Sequence, residues 1–244
     1  MVRPEIRFYR RFQKPEGFTS FEIAAGESDL WIAVPKGVPV APLREALLER
    51  LLQVRAQIEE FGRRRREFIT SLEPVEVPLF APAVVRKMAS EAARVGVGPM
   101  AGVAGAINFF LADLFEEFGA EEFIVENGGD VYVHRRQPFT VALFPPGAVR
   151  LTLGLELPPG TWGISTSSRR IGHSLSLGNA SLATAVCPDP VLSDCCATYL
   201  GNSTSPEDAR QRAERLYREL KVCGVVLIEG KFVIAGDLRF VKLV

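Results

Sequence analysis

The segment Trp162–Asn202, WGISTSSRRIGHSLSLGNASLATAVCPDPVLSDCCATYLGN, sets two strands and a helix in quick succession. A short strand at Gly163 and Ile164 opens into the hydroxyl run Ser165, Thr166, Ser167 and Ser168, followed by Arg169, Arg170 and His173. That mixture suits an anion. A second strand, Ser181 to Val186, leads to Cys187-Pro188-Asp189-Pro190, where Asp189 is placed to cap a helix and Pro190 to occupy its first turn. The helix extends to about Leu200 and is stopped by Gly201-Asn202. It brings Asp194 and Thr198, four residues apart, onto one face within ~6 Å of each other.

Hairpins dominate the rest. Phe18 to Pro35 holds two apolar runs, SFEIAA and DLWIAV, split by Gly26-Glu27-Ser28, which predicts an antiparallel pair at a sheet edge. FIVENGGDVYV, Phe123 to Val133, predicts two strands joined at Asn127-Gly128-Gly129, residues suited to positive φ. Further strands are expected over Phe139–Phe144, Val149–Leu157, Val225–Ile228 and Phe232–Ala235. Between them lie helical patterns. Leu43, Leu47, Leu51, Val54, Ile58 and Phe61 are spaced by three and four, ending at Arg63 to Arg66. A second helix is expected over Ala83–Val95, a third after the glycine-rich turn Gly96–Ala106, and a charged one from Ser205 to about Lys221. Nine or ten strands with four or five helices, often in adjacent hairpins, predict an α+β fold with largely antiparallel sheets. The proline-punctuated connection near 74–82 divides the chain if it has two lobes; otherwise residues 1–244 form one domain.

Composition narrows the function classes. Lysine plus arginine equals aspartate plus glutamate at 29 each, so no global field draws the chain to nucleic acid or an anionic membrane. The N-terminus lacks the apolar core of a secretion signal, no run reaches the ~20 apolar residues of a membrane span, and the expected compartment is the cytoplasm. The cysteines, Cys187, Cys195, Cys196 and Cys223, show no paired metal-binding spacing and read as reduced, buried thiols.

Three groups carry candidate chemistry. One carboxylate and one hydroxyl, Asp194 and Thr198, match what magnesium takes from protein; equally, Asp194 can serve a neighbouring loop while Thr198 bonds back to its own helix. His173 reads as a general base, a phosphate contact or a structural histidine. The small residues Gly98, Pro99 and Gly102 at a helix start either admit a phosphate to free N–H groups or allow close helix packing. The four-arginine run reads as a solvated helix end, and His134 as structural.

Together, Gly98–Ala106 before a helix, Glu126-Asn127-Gly128-Gly129-Asp130 in a hairpin, and Ser165-Thr166-Ser167 with His173 and Ser193-Asp194-Cys195-Cys196-Ala197-Thr198 occur in the order of the ApbE-like FAD:protein FMN transferase superfamily, which roughly residues 95 to 202 resemble. The resemblance implies the ApbE-like α+β fold, an FAD or FMN cofactor, magnesium, and transfer of FMN to a hydroxyl of an acceptor protein. It implies that Gly98, Pro99, Gly102, Asn127, Gly128, Gly129, Asp130, Ser165, Thr166 and Ser167 line a small phosphorylated ligand. Asp194 and Thr198 become metal ligands, with a carbonyl near Gly102 as a third, and His173 and Asp194 the catalytic pair. Two features depart: Ala101-Gly102-Val103 replaces the usual Lys-Gly-Tyr, and His173 to Asn179 lacks the Asp-Pro-x-Thr-Gly loop. The chain is most similar to the short cytoplasmic branch, associated with sulfur assimilation toward homocysteine. That opens an alternative role beside partner proteins, with a cysteine persulfide. A non-catalytic ligand-binding module is the other alternative.

Overall fold

Each interior strand of the main sheet sends alternate side chains to opposite faces, and two different layers cover those faces. The structure, a computed structural model, describes residues 15–143, 153–167 and 178–243. His173, Ser168, Arg169, Arg170, Phe144 and the 149–152 part of the expected strand lie outside the described residues. Among those described are eleven strands and six α-helices, an α+β arrangement in which every strand pair is antiparallel.

The strands are β1 (Phe18–Ala25), β2 (Ser28–Pro35), β3 (Phe123–Asn127), β4 (Asp130–Arg135), β5 (Phe139–Leu143), β6 (Leu153–Leu157), β7 (Gly160–Ser167), β8 (Ala180–Cys187), β9 (Cys223–Ile228), β10 (Lys231–Ala235) and β11 (Arg239–Lys242). The helices are α1 (Val40–Arg64), α2 (Arg66–Thr70), α3 (Ala83–Val95), α4 (Val103–Glu117), α5 (Pro190–Gly201) and α6 (Pro206–Leu220); a 3-10 turn, Pro99–Gly102, precedes α4. The large sheet runs β1-β2-β3-β4-β7-β8-β9-β10, and a small one runs β11-β6-β5.

Alternation separates the layers. On β4, Tyr132 joins the core under the helices while Val133 joins Leu143, Leu155 and Leu157 of the small sheet. On β8 and β9, Ala185, Cys187 and Val226 pack with α5 and α6, whereas Val186 and Val225 face the small sheet. The helix side is the larger core, built on Leu43, Leu47 and Leu51 of α1, Val84, Val85 and Met88 of α3, and Leu111 and Phe115 of α4. In the 74–82 connection Val75 and Ala81 are buried. No single helix among the described residues is long and apolar enough to cross a membrane.

Several expectations shift. The strand expected only at Gly163 and Ile164 runs on through Ser167, so Ser165, Thr166 and Ser167 belong to β7 rather than to the run after it. α2, β11 and the small sheet were not expected. β11 pairs with β6 across the chain, Phe240 opposite Leu155, and no local pattern announces such a partner.

Candidate functional site

Glycines bring two helices and a strand together. A Cβ on Gly105 of α4 would lie 2.1 Å from the Pro190 carbonyl oxygen at the start of α5, and one on Gly163 of β7 would lie 2.5 Å from Pro190 Cα. One on Gly102 would meet Cys195 Sγ at 2.9 Å and Val191 Cγ1 at 3.0 Å. At Gly98 the neighbour is Ser71 oxygen, 1.9 Å away. Gly98 and Gly102 are closely packed in this turn, and Pro99 is buried beside them.

That contact delivers Asp194 to the start of α4. The helix has no side-chain cap of its own. Asp194 Oδ2 accepts the Gly105 N–H at 2.9 Å, and the Ala104 N–H also bonds to this carboxylate. A protein carboxylate therefore occupies the position where an anionic ligand was one of the expectations. Burial pushes the Asp194 carboxyl well above its ordinary range and the Asp130 charge adds to that, with the two N–H groups pulling the other way.

Asp130 closes the β3–β4 hairpin. Asn127 pairs with Asp130 across a two-residue turn, and Gly128 and Gly129 have φ of 71° and 103°, the positive pair such a turn demands. Glu126 Oε1 holds the turn by accepting the Gly129 N–H at 2.7 Å. Asp130 Oδ1 accepts the Thr166 N–H at 3.2 Å, and its main-chain oxygen accepts Asn108 Nδ2 of α4 at 3.0 Å. On β7, Ser165 and Ser193 hydroxyls are 2.8 Å apart, and Ser193 donates to the Pro190 oxygen at 3.0 Å. Thr166 Oγ1 instead meets Thr184 Oγ1 at 3.0 Å, on the neighbouring β8. Thr166 thus touches Asp130 through its backbone, while its hydroxyl pairs across the strands. Ser167 is buried at the end of β7.

The three segments singled out in the sequence therefore meet through hydrogen bonds, with Asp194 central. Thr198 follows one turn later on α5, half-buried. Asp194, Thr198 and nearby Asp130 offer only oxygen, the donor type a hard dication takes, and a cation would relieve two carboxylates that repel each other's charge. Among the described residues no group of three or more His, Cys, Asp or Glu side chains could hold a metal ion. Main-chain oxygens, waters and ligand oxygens would complete a shell, as is usual for magnesium. The donor chemistry fits that ion.

Two contributors were missed in the sequence. Asp189 does cap α5, accepting Val191 N–H at 2.9 Å and Leu192 N–H at 3.1 Å through Oδ1. Its other oxygen is paired with Lys87 of α3, which also bonds Glu91 at 2.9 Å and lies 5.3 Å from the Phe109 ring centre. Burial alone would lower the Lys87 ammonium, but its bonds to Asp189 and Glu91 leave it above the ordinary value. Asn108 is the second, since an isolated helical asparagine carries no periodic signal. A cavity of about 370 Å³ lined by Pro158, Pro159, Trp162 and Arg239 lies at the seam of the two sheets, away from this site.

Burial pushes the Cys187 thiol up to about 12, and Cys195 and Cys196 are also raised by burial. Burial of this kind is the environment of inert rather than reactive cysteines. His134 Nδ1 and Thr161 Oγ1 lie 2.8 Å apart, across the paired strands β4 and β7.

Comparison with known proteins follows the same outline. A family described as "AbpE bacteria" matches residues 10–223. A UPF0280 protein of Methanocella arvoryzae is 39% identical over 192 residues, 78% of each chain, and one of Archaeoglobus fulgidus is 32% identical over 78% of this chain and 79% of its own. Among solved structures, the flavinyl transferase ApbE of Pseudomonas stutzeri superposes with a TM-score of 0.64 at 14% identity, covering 89% of this chain and 93% of that one. The ApbE protein of Thermotoga maritima gives 0.63 at 12%, covering 91% and 96%. At such identities the structural likeness concerns the fold. With the family match spanning most of its length and the same architecture beneath it, this chain belongs to the ApbE-like family, alongside the UPF0280 proteins.

Proposed function

We propose that the region around Asp194, bounded by Gly102–Gly105, the Asn127–Asp130 hairpin and the end of β7, binds a flavin nucleotide, and that the chain transfers FMN from FAD to a hydroxyl of an acceptor protein. The observation that supports this most directly is the buried Asp194 carboxylate, set among Asp130, the Ser165–Ser193 pair and the first turn of α4. A buried acid facing a second acid is costly as structure alone, and such pairs concentrate at functional sites.

In the proposed reaction the acceptor oxygen forms a bond to the FMN-side phosphorus. The pyrophosphate bond to the AMP half breaks, AMP leaves with the bonding pair, and the hydroxyl proton passes to a base, in this reading His173. Magnesium, when bound, would neutralise charge developing on the pyrophosphate oxygens. Asp194 and Thr198, with a carbonyl near Gly102, would hold it. Asp194 would be oriented by the Gly105 N–H, and the Ser165–Ser193 pair would fix the facing strand.

The test is AMP release from FAD by the purified chain in the presence of an acceptor protein, with and without magnesium. Release that needs magnesium and is lost by at least about a hundredfold in Asp194→Asn and in Thr198→Val supports the proposal. Thr198→Val should otherwise change stability by no more than about 0.5 kcal/mol. Tight FMN binding without any AMP release would favour the second reading, a ligand-binding module. Ala101 favours that reading, since it leaves the turn without the lysine typical of transferases. The buried thiols lend no support to a persulfide role in sulfur assimilation.

A further inference from the structure

The eight-stranded sheet ends in two edge strands, β1 and β10, and they are finished differently. At β1 the exposed side chains are Thr19, Ser20, Glu22 and Ala24, and Arg44 Nε of α1 donates to the Glu22 main-chain oxygen at 3.3 Å. Polar side chains and a covering cation keep such an edge from joining another strand. β10 is open by comparison. Its residues, Lys231-Phe232-Val233-Ile234-Ala235, carry one charge at the first position and no proline, and among the described residues the strand pairs with β9 alone. Val233 and Ala235 pack toward the core beneath α6. Phe232 and Ile234 turn to the other face, opposite Leu227 and Val225, and each is 48% exposed. Positive φ at Glu229 and Gly230, 51° and 73°, closes the β9–β10 turn, and Gly236 at 96° ends the strand. The length and register of this edge are therefore set.

We propose that β10 is a self-association edge, where a second copy of this chain adds its own β10 antiparallel and joins the two large sheets across a two-fold axis at Val233. The strand's own sequence names the occupant. In that register Phe232 stands opposite Ile234 of the second copy, Ile234 opposite its Phe232, and Lys231 opposite its Ala235. Directly opposed residues share a face, so four half-exposed apolar side chains become one cluster, and the single charge never meets its own copy. Centring the pair on Phe232 instead would set Ile234 against Gly230, and centring it on Ile234 would set Phe232 against Gly236, both beyond the strand. A two-fold pair uses both β10 edges and leaves only the Arg44-covered β1 edges outermost, so assembly stops at two copies. Five residues a side make it a weak, reversible association. The inference does not depend on the flavin-nucleotide reading.

Sedimentation equilibrium of the purified full chain tests this. The mass should rise with concentration and level off at twice that of one chain, with a dissociation constant of about 10–100 µM. Ile234→Lys, which puts a charge from each copy into the apolar cluster, should weaken the pair by at least tenfold, roughly, whereas Ser20→Lys on β1 should leave it unchanged. The register is read separately with Val233→Cys. Its two sulfurs would lie on opposed residues with a Cα separation of about 4.5–5.5 Å, within disulfide range, so mild oxidation should cross-link this variant but not Ser20→Cys or the native chain. A single-chain mass throughout, growth past two copies without a plateau, or a pair that Ile234→Lys does not weaken would overturn the inference. Failure of Val233→Cys to cross-link would overturn it too, and that result stands even if Ile234→Lys does not fold.

Discussion

The helices α4 and α5 meet at their first turns, Gly105 against Pro190, and the two ends are finished by opposite means. α5 is capped by the residue next to it, Asp189. α4 has no neighbour able to do this and is capped by Asp194, 89 residues along the chain. A local cap stabilises its helix whether or not anything else has formed. A remote cap exists only after docking, and it buries a carboxylate that must then be tolerated at all times. The first belongs to the local chain, while the second belongs to the tertiary fold.

The contrast can be broken most severely at the contact itself. Gly105→Ala pushes a methyl into the Pro190 main chain, which cannot yield as a side chain could, so a loss of about 3 kcal/mol is expected in chemical denaturation. An unchanged midpoint would mean that the helices part easily. Next comes the local cap. Asp189→Ala removes two N–H acceptors and one partner of Lys87, and should cost about 2 kcal/mol, whereas Asp189→Ser, which can still cap, should cost roughly half that. Equal losses would show that the Lys87 pairing, not the cap, carries the effect.

The smallest effect sharpens the remote cap. Burial, with Asp130, raises the Asp194 carboxyl above its ordinary value of 3.8, so the folded chain keeps a proton that the unfolded chain has released. The stability due to this group is therefore complete below about pH 4 and is lost as pH rises through the raised, folded-state value. Asp194→Asn lacks that loss. In the presence of EDTA its melting temperature should exceed the native one at pH 8 by the equivalent of about 1 kcal/mol, and the difference should shrink at pH 5. Parallel pH profiles for the two proteins would refute the buried-acid account.

What could be read from the chain beforehand follows the same division between near and far. The FIVENGGDVYV hairpin announces its own turn, because two consecutive glycines satisfy a backbone demand that involves no other segment. Asp189-Pro190 likewise declares the start of α5. β11 does not: its four residues are stable only as the third strand beside β6, a partner found by folding rather than by pattern. α2, five residues after a break at Arg65, is too short to show a period. The glycine-rich turn was legible as a place of close approach, but which atoms approach depends on α5, and the answer at Gly102 was Val191 and Cys195. Asn108 and Lys87 passed unremarked because each is a single polar residue in an ordinary helical pattern, meaningful only beside Asp130 or Asp189.

The hydrogen bond from Gly105 to Asp194 gives the molecule a natural probe. An amide proton directed at a carboxylate oxygen resonates at a position that depends on whether that oxygen carries charge, a shared proton or a bound cation. The Gly105 resonance in an NMR spectrum should therefore report occupancy at the heart of the protein, with no label attached and no turnover required.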